Sequence, residues 1–287
     1  MDDPVTTLRA DTDHGSAWLS RFALDALRER AAAADEYDAV AALARDLRDA
    51  RPSMHAVANR INRVMADAEA RTPAAVAERA AAVREQAETA AEAAAANAAA
   101  ELDGPSVLTL SRSGTVLDAL GRADLGRVSV LESRPGGEGS EAAERLARRD
   151  DTPTVTLAPD AAVADLLAAK PVDAVLVGAD AVLSDGSVVN KVGTRTAATV
   201  AARAGVPLLA VCAAAKVAPA GTTDPDLEPR DPTALYDGSA AVAVHDRTFD
   251  RTPPALVAAV VTERGTLDAA GVRSVAETHA AMAAWDE

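Results

Sequence analysis

The stretch that decides the fold is SVLTLSRSGTVLDALGRADLGRVSVLE, residues 106–132. It begins with an apolar run at Ser106–Leu110, continues through a segment of helical spacing at 114–121, and ends with a second apolar run at Val128–Glu132. Apolar runs of this length are typical of strands that are buried on both faces. A strand, a helix and a second strand in this order predict two parallel strands joined by a right-handed crossover.

The same alternation continues downstream. Further apolar runs predict strands at Thr154–Leu157, Val172–Val177 and Leu208–Cys212, and helical spacing predicts helices at 140–148, 160–169, 194–205 and 253–262. Residues 213–250 are rich in Pro, Asp and Gly, which predicts a long irregular excursion, either a lid or an interface. We therefore predict a parallel Rossmann-like α/β domain over residues 104–287.

Upstream of this domain the sequence is helical. Apolar residues recur at helical spacing after Gly15-Ser16 and again over 37–49. Thr72-Pro73 is a favourable helix start, and an Ala/Glu-rich run extends from there to Asp103-Gly104. Alanine is the best helix former, so this run predicts one long helix. Residues 1–103 are expected to form a helical domain packed on the α/β domain.

Composition excludes several classes of function. The formal net charge is −15, and the only lysines are Lys170, Lys191 and Lys216. Such an acidic surface repels phosphate backbones, so no nucleic-acid partner is expected. Abundant carboxylate with little lysine resembles proteins of a salt-loving cytoplasm. The single cysteine, Cys212, fits a reducing compartment, and no apolar run is long enough to cross a membrane, so we expect a cytoplasmic protein.

Three predicted strand–helix junctions carry residues that bind anions. In an open parallel sheet, ligands bind at the carboxyl ends of the strands, where these junctions meet. The residues are Ser111, Arg112 and Ser113 at the first junction, Arg134 and Gly139 at the second, and Asp180, Asn190 and Lys191 at the third. Turn chemistry and helix capping explain any single junction equally well. Three junctions at one sheet edge indicate a site for a phosphorylated small molecule.

Other kinds of site lack support in the sequence. It contains no P-loop, no Gly-x-Gly-x-x-Gly dinucleotide fingerprint and no nucleophile elbow. The four histidines, His14, His55, His245 and His279, are scattered and lack metal-ligand spacing. We therefore expect neither a metal nor a cofactor.

Several segments resemble the family that joins methylthioribose-1-phosphate isomerases, archaeal ribose-1,5-bisphosphate isomerases and the alpha, beta and delta subunits of translation initiation factor 2B. The resemblance covers most of the chain. Its most specific part is Gly178-Ala-Asp180 together with Asn190-Lys-Val-Gly-Thr194. The other segments are Arg51-Pro-Ser53, Thr109–Ser113, Glu132–Pro135 with Gly139, Lys216–Pro219, and Phe249–Pro254 with Thr262–Gly265.

The resemblance implies roles for individual residues. In the isomerases, an aspartate and a cysteine interconvert an aldose-type sugar phosphate and its ketose, and these positions correspond to Asp180 and Ser111. Lys216 corresponds to a ligand-binding lysine. A thiol with a pKa of about 8.5 exchanges protons at neutral pH, whereas a serine hydroxyl is a far poorer acid. In a second departure, Asp13-His14-Gly15-Ser16 places histidine where the bisphosphate isomerases carry the arginine of a phosphate-gripping Arg-Gly pair.

Two functions remain open from the sequence. The favoured one is a protein of the initiation factor 2B type, which binds a sugar or nucleotide phosphate, acts through a translation-factor partner and has little or no catalytic activity. The alternative is an aldose–ketose isomerase of ribose 1,5-bisphosphate or a related sugar phosphate, an intramolecular oxidoreductase that tolerates Ser111. Both imply a homodimer or larger assembly through the α/β domain, for which the apolar stretch Pro254–Val261 is the sequence-level sign.

Overall fold

The computed structural model describes residues 3–11, 14–149, 153–169 and 171–286; Asp13 and Lys170 lie outside them. The helices are α1 Pro4–Ala10, α2 Ser16–Ala33, α3 Tyr37–Arg48, α4 His55–Ala66, α5 Pro73–Ala100, α6 Gly114–Leu120, α7 Glu138–Ala147, α8 Val163–Ala169, α9 Thr194–Ala204 and α10 Ala269–Ala283. The strands are β1 Ser106–Leu110, β2 Arg127–Leu131, β3 Thr154–Ala158, β4 Ala174–Gly178, β5 Ala181–Val182, β6 Val188–Lys191, β7 Leu208–Val211, β8 Phe249–Thr252, β9 Ala259–Thr262 and β10 Gly265–Leu267.

Helices α1–α5 form the N-terminal part of the chain. The long helix α5 begins at Pro73, after Thr72, whose hydroxyl accepts a hydrogen bond from the backbone N–H of Ala75 at 3.3 Å. Its first half packs among the other N-terminal helices, whereas Ala95 and Ala98 on its second half lie fully buried against the sheet. Because α5 contributes to both cores, the division of the chain at residues 103 and 104 stays a prediction.

The central sheet has seven strands in the order β10-β9-β7-β4-β1-β2-β3. The five strands predicted from apolar runs are all present and pair in parallel, as expected for strands buried on both faces. Among the strands that the structure describes in this sheet, only β9 and β10 pair antiparallel. The predicted fold class, a helical N-terminal part beside a parallel α/β region, is confirmed. Within the described residues, no helix is both long and apolar enough to span a membrane.

The predicted helix at 253–262 is wrong. Residues Pro254–Leu256 make a single 3-10 turn, and Ala259–Thr262 is strand β9, which pairs in parallel with β7. The β-branched residues Val260 and Val261 favour a strand. A short apolar run does not distinguish a buried strand from a buried helix, so the pattern alone was ambiguous.

A second, smaller sheet was not anticipated. Its strand order is β5-β6-β8, and both pairs are antiparallel. Strands β5 and β6 form a hairpin whose turn contains Asp185 and Gly186, with Gly186 at a φ of 86°. Ala181, Val189 and Phe249 of this sheet belong to the same buried core as helices α1–α5. The small sheet therefore joins the helical part of the chain to the α/β part.

The order of the central strands reverses between β1 and β4. From β1 the chain proceeds through β2 to β3 at one edge, and from β4 it proceeds through β7 towards β9 on the other side. At such a switch point the connecting loops part, leaving a crevice at the carboxyl ends of the two strands. The loops after β1 and β4 begin with Ser111 and Ala179.

Candidate functional site

The loops after β1 and β4 approach each other closely. Val107 and Leu108 of β1 pair with Ala174 and Val175 of β4, so Ser111 comes level with Gly178, two residues before Asp180. A Cβ on Gly178 would lie only 3.0 Å from the hydroxyl oxygen of Ser113. The structure thus brings Ser111, Ser113 and Asp180 to one edge of the sheet, at the switch point.

Asp180 is enclosed beside charged groups from several elements. Its side chain is 19% exposed, and its Oδ1 lies 3.9 Å from Nζ of Lys216. Burial raises the pKa of Asp180 above its usual value; Lys216 lowers it, Glu228 raises it, and Lys191 and the hydroxyl of Ser16 lower it. Because burial is the largest of these effects, the Asp180 carboxyl exchanges a proton nearer neutral pH than a free carboxyl does.

Lys191 is held by a carboxylate that sequence reasoning missed. Its Nζ lies 2.5 Å from Oε1 of Glu138, the first residue of α7, and its side chain is 13% exposed. The neighbouring Asn190 donates from Nδ2 to the hydroxyl of Thr194 at 2.9 Å. Both residues end strand β6, which was not predicted, and they precede helix α9, as expected for residues that open a helix. An anion that binds Lys191 has to displace Glu138 or share the lysine with it.

Arg51 is a further cation, and the predicted set of ligand-binding residues did not contain it. Its side chain is 11% exposed, and its Nη2 lies 2.9 Å from Oε1 of Glu228. Glu228 also accepts a hydrogen bond from the hydroxyl of Ser53. Spacing along the sequence does not reveal Glu228, because it lies in the irregular excursion. The one signal for Arg51 and Ser53 was their resemblance to the family segment.

The arginines of the first two junctions bind surface carboxylates. Nη1 of Arg112 lies 3.0 Å from Oε1 of Glu141. Nε of Arg134 lies 3.3 Å from Oε2 of Glu132, and the Arg134 side chain is 70% exposed. Contact of either arginine with a ligand remains a prediction.

Gly139 was predicted to contribute to phosphate binding, but the structure shows that it is needed for close packing of helix α7 on strand β2. A Cβ at this position would lie 2.0 Å from the carbonyl oxygen of Leu131, so glycine permits helix α7 to start directly against β2. The backbone N–H groups of Ser133 and Arg134, which a phosphate would need, donate to the Asp160 carboxylate at 2.8 and 2.6 Å. At the second junction, the carboxylate of Asp160 therefore already binds the backbone N–H groups that a phosphate would need.

At the N-terminus of α9, backbone N–H groups likewise donate hydrogen bonds to a carboxylate of the chain, that of Asp250. The backbone N–H of Gly193 donates to Asp250 at 2.8 Å, and that of Arg195 donates to Asp250 at 3.1 Å. Burial raises the pKa of Asp250 to about 6, against the lowering effect of these two hydrogen bonds. Anion binding near Lys191 thus depends on side chains and not on this helix terminus.

The single thiol does not replace the missing cysteine. Cys212 follows β7 and is 1% exposed. Burial raises the pKa of the Cys212 thiol to about 12, so the thiolate is not formed at neutral pH. Of the two predicted catalytic residues, Ser111 and Asp180, only Asp180 carries an acidic side chain.

Taken together, the candidate site combines one enclosed carboxyl, that of Asp180, with three cations. The cations are Arg51, Lys191 and Lys216, and each of them lies beside a carboxylate of the chain. No cluster of three or more potential metal ligands occurs among the residues that the structure describes. The arrangement suits an anionic substrate that gives up or takes a proton.

Known proteins resemble the chain over most of its length. The sequence matches the Initiation factor 2 subunit family over residues 12–269. A protein of Haloferax volcanii named ribose 1,5-bisphosphate isomerase is 33% identical, over 92% of this chain and 90% of its own. A methylthioribose-1-phosphate isomerase of Xylella fastidiosa is 35% identical over 56% of this chain and 48% of its own. The crystal structure of translation initiation factor eIF-2B from Pyrococcus horikoshii has a TM-score of 0.79 at 25% identity, covering 92% of this chain and 95% of that one.

Proposed function

The chain belongs to the Initiation factor 2 subunit family, and from that premise we propose that it is an aldose–ketose isomerase of a phosphorylated ribose. The substrate class follows the Haloferax relative, which is named for ribose 1,5-bisphosphate and is similar over nearly all of both chains. The observation that carries the proposal is the enclosed carboxyl of Asp180 at the switch point, whose pKa is raised by burial. Sugar isomerisation requires a group of this kind.

The proposed reaction uses Asp180 as a proton carrier. In a ribose phosphorylated at C1, the ring oxygen takes a proton as the ring opens, and the protonated Asp180 supplies it. A hydride then moves from C2 to C1, and the C2 hydroxyl loses a proton as it becomes the ketone carbonyl. The Asp180 carboxylate accepts that proton and is restored. One titrating residue suffices for this sequence, and the Ser111 hydroxyl serves to orient the substrate.

The cations account for recognition of the phosphate groups in this proposal. Arg51 presents a planar guanidinium that binds phosphate through two hydrogen bonds, and Lys191 adds a point charge. In the structure both are paired with glutamates, Glu228 and Glu138 respectively. A bisphosphate carries more negative charge than either glutamate and therefore competes effectively for these cations.

A second candidate is favoured by one observation, the serine at position 111. A protein that retains the sugar-phosphate site and lacks the thiol would bind its ligand and act through protein partners. This was the function favoured by the sequence alone. The nearly full-length likeness to a named isomerase supports the first candidate better.

The test is a coupled isomerase assay of the wild type at several salt concentrations, with ribose 1,5-bisphosphate and methylthioribose 1-phosphate as alternative substrates. We expect Asp180→Asn to lower kcat by about 10²–10⁴-fold, because the amide carries no exchangeable acid proton. Ser111→Cys is expected to raise kcat, because a thiol is a better acid than a hydroxyl.

Asp118→Asn is the matched control for this assay. It makes the same carboxylate-to-amide change on helix α6, where Asp118 forms a surface pair with Arg145, and its kcat should equal that of the wild type. Absence of turnover by the wild type on both substrates would favour the binding protein. Full activity of Asp180→Asn would contradict the assigned site.

A further inference from the structure

A cavity of about 660 Å³ lies between helices α4, α5 and α10 and the loops that follow β7 and β9. Asp180, Ser111 and Lys191 do not line it. Its polar lining consists of Asn59, Arg60, Arg63, Glu85, Gln86, Thr89, Glu263, Arg264 and His279, so three arginines face two glutamates. Three arginines around one cavity are notable in a chain of net charge −15.

Arg60 is the most unusual of these residues. It is only 7% exposed, and its Nη1 donates to the hydroxyl of Ser20. Among the residues that the structure describes, no carboxylate forms an ion pair with it. Burial lowers the pKa of Arg60 to about 10, and Glu263 opposes that effect only from a distance. A buried guanidinium without a carboxylate partner is costly, and an anion in the cavity would offset that cost.

Two further polar atoms on the lining residues lack hydrogen-bond partners in the described structure. Asn59 donates from its amide nitrogen to the carbonyl oxygens of Ala215 and Val217 at 2.8 Å each, which leaves its Oδ1 without a donor. Nε of Arg63 is buried and donates no hydrogen bond, although it lies 3.5 Å from Oδ2 of Asp67 in an ion pair. The cavity thus combines cations with one free acceptor, which suits a ligand that carries both an anionic group and a hydroxyl.

The pKa of His279 is lowered in part by the positive charges at the same cavity. Its Nδ1 lies 2.7 Å from the carbonyl oxygen of Val217, which makes Nδ1 the donor. Burial lowers the pKa of His279 to about 4, and the nearby Arg264, Arg63 and His55 lower it as well. The imidazole is therefore neutral at pH 7, and the positive charge at this cavity comes from the arginines.

We propose that this cavity binds a small hydroxylated phosphomonoester, anchored by Arg60 and flanked by Arg63 and Arg264. The proposal concerns a second site, apart from the switch point, and does not depend on the isomerase reaction. The phosphate would pair with the guanidinium groups, and a hydroxyl beside it would donate to Oδ1 of Asn59.

Isothermal titration calorimetry with glycerol 3-phosphate as the probe tests this proposal. We expect Arg60→Met to weaken binding at one site by about 10-fold or more, because it removes charge-assisted hydrogen bonds. Lys191→Met, at the switch point, should leave that site unchanged. Arg60→Met is expected to fold, since an unpaired buried charge is replaced by an apolar chain. The probe should raise the melting temperature of the wild type and not that of Arg60→Met.

Arg264→Glu provides an independent variant, because Arg264 is exposed and its replacement does not disturb a core. It should weaken the same site through charge repulsion. Unchanged affinity in both Arg60→Met and Arg264→Glu would overturn the proposal. So would equal binding of inorganic phosphate and glycerol 3-phosphate with displacement of both by chloride, because the cavity would then hold an adventitious ion only.

Discussion

Two serines adopt left-handed backbone conformations where neighbouring strands end. Ser111 follows β1 with a φ of 61°, and Ser133 lies two residues after β2 with a φ of 66°. Residues other than glycine avoid this region, at a cost of roughly 1–3 kcal/mol each, and such residues are concentrated at functional sites. The conformation at Ser111 fixes where its side chain leaves the backbone. A sequence does not reveal it, because glycine is the usual signal for a positive φ.

Replacing Gly139 tests its packing role. Gly139→Ala places a Cβ 2.0 Å from the carbonyl oxygen of Leu131, so the start of α7 has to move away from β2. We expect a loss of about 1–3 kcal/mol in the free energy of unfolding, measured by denaturant titration. Gly114→Ala is the control, because its Cβ meets nothing within 4 Å. A loss no larger than in this control would show that the close approach does not matter.

His279 predicts a dependence of stability on pH. Its folded-state pKa, about 4, lies below the ordinary histidine value of 6.5, so the unfolded chain binds the proton more readily. The stability it contributes is therefore present above pH 6.5 and is lost as the pH falls towards 4. We expect the wild type to lose on the order of 3 kcal/mol across this window relative to His279→Gln.

The comparison with His279→Gln is needed because Asp250 acts in the opposite direction. Its folded-state pKa, about 6, lies above its usual value, so the folded chain binds the proton more readily and gains stability as the pH falls through 6. Only the difference between wild type and variant isolates the histidine. Denaturant titrations at several pH values measure it, and a difference that is constant with pH would contradict the assignment.

The sequence indicated the candidate site residues, whose role stays a prediction, better than the carboxylates that contact them. Asp180, Lys191 and Lys216 could be found because they follow strands or open a helix. Their partners Glu138 and Glu228 could not, because a pattern of residues does not indicate which carboxylate a lysine or arginine contacts. The same limit applies to Asp160 and Asp250. Their carboxylates accept hydrogen bonds from backbone N–H groups that would otherwise attract a phosphate.

At the scale of elements, buried parallel strands were the most predictable part of the fold. Strand β1 agrees with its predicted bounds, and β2, β3, β4 and β7 agree to within one or two residues at each end. Continuous apolar runs between turn residues identify such strands well. The short strands β5, β6 and β10 carry little apolar pattern of their own, because tertiary pairing and not local sequence determines them.

Helix α5 offers a test of packing against the sheet. Ala95 is fully buried, whereas its neighbour Ala96 is exposed. Ala95→Leu adds three carbon atoms where no space exists, and we expect it to lower the free energy of unfolding by about 1–3 kcal/mol. Ala96→Leu should change it by less than about 0.5 kcal/mol. Equal effects of the two substitutions in thermal or denaturant unfolding would show that the sheet does not confine this face of α5.

At the scale of the whole molecule, the expected assembly remains a prediction. The apolar stretch Pro254–Val261 does not support the predicted assembly, because Val260 and Val261 lie buried in the central sheet. The exposed apolar side chains of the excursion, Leu235 and Val242, are 64% and 54% exposed and are better candidates for a contact between subunits.

Sedimentation velocity tests the assembly directly. We expect a particle of at least twice 29.2 kDa for the wild type and a shift towards the monomer for Leu235→Ser combined with Val242→Ser. Leu157→Ser is the control, because Leu157 is 48% exposed on strand β3, away from the excursion. A monomeric wild type in both dilute and concentrated salt would exclude the homodimer.

The placement of the two tryptophans determines which parts of the molecule can be followed by tryptophan fluorescence. Trp18 lies on α2, stacked on His14 with ring centroids 3.8 Å apart, and Trp285 donates from Nε1 to Asn62 on α4. Tryptophan emission therefore comes wholly from the helical side of the chain. Trp18 lies two residues after Ser16, whose hydroxyl lowers the pKa of Asp180. We therefore expect ligand binding at the switch point to change the emission of Trp18, and unfolding of the far edge of the sheet to leave tryptophan emission unchanged.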